Sequence, residues 1–150
     1  MNRLLTAILL AAPLIFTVAA SKTTTPPDLL VNISCDKPVY QTKEPVTMTL
    51  TVINTSSTVQ EFVFNSGKKY DFYLYRGRKL VWKWSQGKMF SQAISGLSLN
   101  PSQTLEYPGV FDQTLPSGKS IRPGRYQLKG AFCTEGQEYL SNPITIEIRR

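Results

Sequence analysis

Val46-Thr47-Met48-Thr49-Leu50-Thr51-Val52 is the stretch that decides the fold. Successive side chains of an extended backbone point to opposite sides, so Val46, Met48, Leu50 and Val52 share one face and the three threonines share the other. A seven-residue run with a period of two predicts a strand with one face on a core and one in water.

The same rhythm recurs on both sides of this run. Leu29–Cys35, Val59–Phe64, Tyr70–Tyr75, Lys79–Trp84, Thr104–Phe111, Gly124–Cys133 and Pro143–Arg149 read as further strands. Between them stand Asn54-Thr-Ser-Ser, Asn65-Ser-Gly, Arg76-Gly, Asn100-Pro-Ser, Pro116-Ser-Gly and Arg122-Pro-Gly, which supply proline or a residue tolerant of positive φ where the chain must reverse. Short strands at this spacing predict an all-β fold, an immunoglobulin-like β-sandwich of about seven to eight antiparallel strands. Only Gln86–Ser95 breaks the pattern. There Met89, Phe90, Ala93 and Ile94 suit one or two helical turns that plug an end of the sandwich.

The beginning of the chain is of another kind. Arg3 precedes an apolar run from Leu4 to Ala19, and the small residues Val18 and Ala20 precede polar Ser21. This predicts a signal peptide over residues 1–20, cut after Ala20. The run is shorter than the roughly 20 residues of a spanning helix and Pro13 interrupts it, so no membrane span is expected after cleavage. The expectation is an exported, periplasmic or extracellular protein. A polar, proline-rich leader over 21–28 would then precede one domain over 29–150, a length that supports a single core.

The formal net charge is +7, and seven cations fall between Lys68 and Lys88 with Asp71 the only acid among them. Such a stretch suits an anionic polymer or an acidic protein patch, and equally a solvated face that keeps the chain soluble. The second, plainer reading is favoured. No nucleic-acid partner is expected, and the chain is read as a monomer.

The sequence has no histidine. Ser-His-Asp and Cys-His nucleophile pairs, zinc sites of the HExxH type and histidine-ligated haem are excluded at once. The ten acids are scattered singly, with no pair placed for glycoside hydrolysis, and no glycine-rich phosphate loop follows a strand. The chain is therefore read as non-enzymatic and without a cofactor or metal. Cys35 and Cys133 are the only cysteines, and in an exported chain such a pair suggests one disulfide. Phase opposes it: Cys35 falls with Val31 and Ile33, whereas Cys133 falls with Gln127 and Lys129, so a bond needs a bulge near Gly130 or a place for Cys133 past the strand end, where phase is lost. Trp82 and Trp84 share a strand face with Leu80, opposite Val81 and Lys83. They are read as core, with a partner-anchoring role as the alternative.

Several elements follow one another in order: Val46–Asn54, Phe64-Asn-Ser-Gly-Lys-Lys-Tyr-Asp-Phe72, Val81-Trp-Lys-Trp-Ser-Gln-Gly-Lys-Met-Phe90, Leu99-Asn-Pro and Arg122-Pro-Gly-Arg-Tyr126. This succession resembles the BsuPI family, the intracellular proteinase inhibitor of Bacillus and its relatives. The resemblance implies an immunoglobulin-like sandwich and, by name, inhibition of serine proteinases of the subtilisin type. The matching elements look structural, with Ser66-Gly67 in a turn, Tyr70 and Phe72 inward, and Asp71 capping backbone N–H groups. If a loop acts on a proteinase, Ser95–Gln103 and Asp112–Ile121 are the segments long enough to reach a cleft. The second is preferred, with Leu115 as the apolar side chain and Pro116 as a stiffener that lowers the entropic cost of binding. A structural or adhesive module of the cell envelope is the competing reading.

Overall fold

The computed structural model describes residues 28–150, so the expected signal peptide (1–20) and all but Asp28 of the expected leader lie outside the described residues. Eleven strands follow: β1 Leu29–Cys35, β2 Val39–Gln41, β3 Val46–Asn54, β4 Gln60–Phe64, β5 Tyr70–Arg76, β6 Lys79–Lys83, β7 Ser95–Leu99, β8 Thr104–Phe111, β9 Gly124–Thr134, β10 Gln137–Leu140 and β11 Ile144–Arg149. One layer is the sheet β1-β3-β8, accompanied by the pair β4-β7. The other is the sheet β2-β11-β9-β5-β6, with β10 also on β9. The fold is an immunoglobulin-like β-sandwich. Neighbouring strands run antiparallel except β2 and β11, which are parallel.

β3 behaves as its alternation dictates. Val46, Met48, Leu50 and Val52 are buried, and the strand lies between β1 and β8, with Leu50 opposite Ile33 on one side and Tyr107 on the other. From the second layer, Phe72 and Leu74 of β5, Tyr126, Leu128 and Phe132 of β9, and Ile146 and Ile148 of β11 complete the core. Phe132 meets Phe62 edge-on at 5.2 Å and Phe64 at 5.7 Å, the offset geometry that the ring quadrupole favours. Two glycines set the spacing of the layers. A Cβ on Gly109 would stand 2.4 Å from the Phe72 ring, and one on Gly130 would stand 2.4 Å from a Leu50 methyl, so neither position has room for a side chain.

Asn54 ends β3 and builds the turn after it. Its buried side-chain amide donates to the carbonyls of Thr58 and Leu99 at 2.8 Å each, while its oxygen accepts from the Ser56 N–H at 3.0 Å and the Ser56 hydroxyl at 2.7 Å. All donors and acceptors of the amide are engaged, which is the condition for burying it.

Three expectations are corrected. No helical turn forms over Gln86–Ser95: Met89 is 97% and Ile94 78% exposed, and only Phe90 turns back, onto Trp84. The chain gains more by extending, because Ser95–Leu99 pairs with β4 and so places Leu97 opposite Phe62 and buries Leu99. The candidate loop Ser95–Gln103 is thereby mostly strand. Second, the register of β5 on β6 shifts between Leu74 and Tyr75, a bulge that puts Val81 beside Trp82 against the core and leaves Leu80 exposed. Third, Cys35 and Cys133 are free thiols. Alternation along β9 is unbroken through Gly130, so Phe132 faces the core and Cys133 joins Ala131 and Tyr73 on the outer face, whereas Cys35 packs on the inner side. The two sulfurs are on different sides of a sheet, and burial pushes the Cys35 thiol up to about 11 and the Cys133 thiol up to about 12.

Candidate partner-binding face

β6 ends its sheet among the described residues, and the hairpin 112–121 shares with it the walls of two surface recesses. The hairpin begins with Asp112, whose carboxylate accepts the Thr114 N–H at 2.8 Å. Thr114 and Ser120 form an isolated bridge. Within it the Leu115 N–H donates to the Lys119 carbonyl and the Gly118 N–H to the Leu115 carbonyl, both at 2.8 Å. Pro116 at the second position suits this turn, and Gly118 takes a φ of 76° that a side chain would resist.

The base of the hairpin is pinned by a residue the sequence reading missed. Gln113 is buried with a φ of 66°, and its amide nitrogen donates to the carbonyls of Gln41 and Glu44 at 2.7 Å each while its oxygen accepts the Lys43 N–H at 3.0 Å. A left-handed backbone at a non-glycine residue persists only when its surroundings hold it, and three hydrogen bonds do so here. No local pattern around Gln113 signals this role, since its partners lie about seventy residues earlier. At the other end Ile121 is buried and its N–H donates to Gln113 at 2.8 Å. The tip 116–120 is exposed on a stiff base.

Leu115 and Pro116 come together here but play different parts. Leu115 is half-buried against the core, and Pro116 is exposed. Between the hairpin and the end of β6 runs an open groove of ≈ 710 Å³, lined among others by Trp82, Trp84, Lys88, Val110, Leu115 and Pro116. Both tryptophans are half-buried and pack on the core: Trp82 lies 4.5 Å from the Phe111 ring, and Trp84 stacks on Tyr70 at 4.6 Å, which itself stacks on Tyr107 at 4.7 Å. Lys88 sits 4.5 Å above the Trp84 ring, a cation–π contact at the groove mouth.

The basic stretch does not form one surface. Lys68 and Lys83 converge on the fully buried Asp71 at 2.7 and 3.6 Å on the outer face of the sheet. Asp71 also accepts the Ser85 hydroxyl at 2.6 Å and the N–H groups of Ser85 and Phe72 at 3.0 Å each, so it caps the turn after β6. Burial is the largest single influence on the Lys68 ammonium and works against it, but its bond to Asp71 and the charges of Asp71 and Glu138 around it together hold its pKa above the ordinary value. Glu138 completes this cluster by accepting the Tyr73 hydroxyl at 2.8 Å. Lys69 lies over Phe64 and Arg76 over Tyr126. No group of three or more cysteine, aspartate or glutamate side chains suited to a metal stands together among the described residues.

A two-layer sandwich with a pinned hairpin beside a tryptophan-lined groove belongs to the class of β-scaffolds that display loops. The chain belongs to the BsuPI family: a family model described as intracellular proteinase inhibitor matches residues 33–137. That description overturns the expectation of an exported, periplasmic or extracellular protein, which rested on residues 1–20 alone, and points to a cytoplasmic location. Among solved structures, the sporulation control protein Spo0M of Bacillus subtilis is similar at 14% identity and a TM-score of 0.50, over 82% of this chain and 50% of that one. The alkylpurine DNA glycosylase AlkC of Pseudomonas fluorescens matches at 12% identity and 0.50, over 83% and 31%. A β-glucosidase of Erythrobacter marinus matches at 10% and 0.49, over 81% of this chain and 15% of its own length. The chain thus spans half or less of these proteins, and the likeness to the first two is one of fold. No curated protein sequence matches the chain.

Proposed function

We propose that the protein is a non-enzymatic inhibitor of a serine proteinase of the subtilisin type, and that it meets its target with the hairpin 112–121 and the groove beside it. The observation that supports this reading is the exposed tip 116–120 held on a base fixed by Gln113 and Ile121. Affinity grows when little entropy is lost on docking, and a pinned hairpin loses little. The mode of contact follows from the backbone. A substrate-like loop lends its N–H and C=O groups to the cleft as an added strand, whereas those of Leu115 are spent inside the turn. The hairpin therefore acts as a wedge that blocks access to the cleft, with Pro116 leading and Leu115 holding it to the core.

Titration of subtilisin with the full chain, followed by peptide hydrolysis, tests the proposal. A one-to-one end point is expected, and Pro116→Glu, at an exposed tip, raises the concentration for half inhibition by about tenfold or more, as loss of a central contact does. Unchanged hydrolysis at a large excess, with the chain degraded as an ordinary substrate, refutes inhibition of this proteinase.

A further inference from the structure

Behind the hairpin, on the side away from the tryptophans, lies a second recess of ≈ 340 Å³. Its floor is apolar: Ile121 and Tyr126 are buried and Val81 is half-buried. Its rim carries four exposed cations, Arg76, Lys79, Lys119 and Arg122, and no acid. The ion pairs among the described residues engage Lys37, Lys68, Lys83 and Arg149, so none of the rim cations has a carboxylate partner there.

Two of the four are set in place. The Arg76 guanidinium lies 5.6 Å over the Tyr126 ring and donates weakly to its hydroxyl at 3.5 Å, which leaves most of its N–H fork free. The Tyr126 hydroxyl in turn donates to the Arg122 carbonyl at 2.5 Å and fixes the backbone from which that side chain departs. Gly124 makes room for this arrangement, since a Cβ there would stand 3.2 Å from the Arg76 guanidinium. An apolar floor with a rim of oriented, unpaired cations is complementary to an apolar group surrounded by carboxylates.

We propose that this recess binds an acidic segment of a protein partner that projects one apolar side chain. The volume is near the lower end of small-molecule sites and suits one large side chain. Four cations call for several carboxylates, which a peptide supplies and a single fatty acid does not. β6, whose Lys79 and Val81 line the recess, has a strand neighbour on one side only among the described residues, and its unpaired edge can add an extended chain. The assignment stands on the recess alone and does not require that the partner be a proteinase.

The test is calorimetric titration of the full chain with a capped pentapeptide, phenylalanine flanked by two glutamates on each side, beside the same peptide with lysines. The acidic peptide is expected to bind and the lysine peptide not to. Its affinity should fall between about 0.01 and 0.15 M salt, as the screening length drops from about 30 to about 8 Å. Lys119→Glu combined with Arg122→Glu changes exposed side chains, so the thermal midpoint should be kept while the affinity falls about tenfold or more. Lys129→Glu, the same kind of charge change away from the recess, should leave affinity within about twofold by the same reasoning. No binding of the acidic peptide at low salt, or equal binding by the doubly substituted chain, overturns the proposal. Tight binding of decanoate with none of the peptide overturns the protein segment in favour of a small amphipathic acid.

Discussion

Asp71→Ala is the substitution for which the structure gives the most definite magnitude. The carboxylate is fully buried and receives the Lys68 ammonium, the Ser85 hydroxyl and the N–H groups of Ser85 and Phe72. Alanine removes all these acceptors at once and leaves behind Lys68, whose side chain is only 21% exposed. Breaking a buried pair from one side costs about 3 to 5 kcal/mol, because the remaining charge and donors stay out of water without partners. At a slope of about 2 kcal/mol per M, the urea midpoint should drop by about 1.5 to 2.5 M. Asp71→Asn keeps an oxygen for the two N–H groups and gives up the charge, so about 1 to 3 kcal/mol is expected, the worth of a hydrogen bond to a charged group. Urea unfolding followed by circular dichroism, with reductant present, reads both. If the alanine variant unfolds within about 0.3 M of the parent, a scatter well inside the extrapolation error, Asp71 does not hold the turn after β6 and the reasoning fails.

Two other perturbations follow from the same packing. Trp84→Ala loses its stack on Tyr70 and its edge contact with Phe72, and because the ring is half-buried the cost should be about 3 kcal/mol, the low end for such truncations; an unchanged urea midpoint refutes a structural role for the groove wall. A thiol reagent at neutral pH should leave Cys35 and Cys133 unmodified in the folded chain and count two thiols in denaturant, since burial suppresses both thiolates; immediate labelling of Cys133 refutes its placement. Both thiols are raised from an ordinary value of 9.0, so above that pH the unfolded chain has released protons that the folded chain still holds, and stability should decline from about pH 9 towards 12. A flat profile, or a rise, contradicts the burial.

The strands were readable where one face is dry. Val46–Val52 and Tyr126–Phe132 alternate because each has a single core side, and the structure keeps both phases without a break. The outward phase of Cys133, which spoke against a disulfide, is likewise kept by the structure. Short strands escaped. Val39–Gln41 is three residues long, with Tyr40 as its one fully buried side chain, and it exists because β11 offers it a parallel edge. Ser95–Leu99 likewise owes its form to β4, a partner over thirty residues earlier. In the candidate face, Leu115 and Pro116 were legible as a turn with an apolar neighbour. Gln113 and the four-cation rim were not, because both depend on which distant segments the fold brings together, and a linear pattern does not carry that.

The position of β11 has a consequence for how the molecule is assembled. Ile144–Arg149 lies between β9 and β2, and the parallel ladder joins Val39 to Glu147 across more than a hundred residues of sequence. During synthesis at about 5 to 20 residues per second, β2, β5 and β6 emerge several seconds or more before β11, the strand that must be inserted beside β9, and β9 itself precedes it by roughly a second. Until then one edge of β9 over Gly124–Leu128 is bare, and the short β2 has nothing to pair with. Closing so long a loop is also the slow step that distant contacts impose on a fold. Order of synthesis and order of assembly therefore differ, and the nascent sandwich passes through an interval in which its largest sheet is open in the middle and any other strand in the cell can compete for the gap.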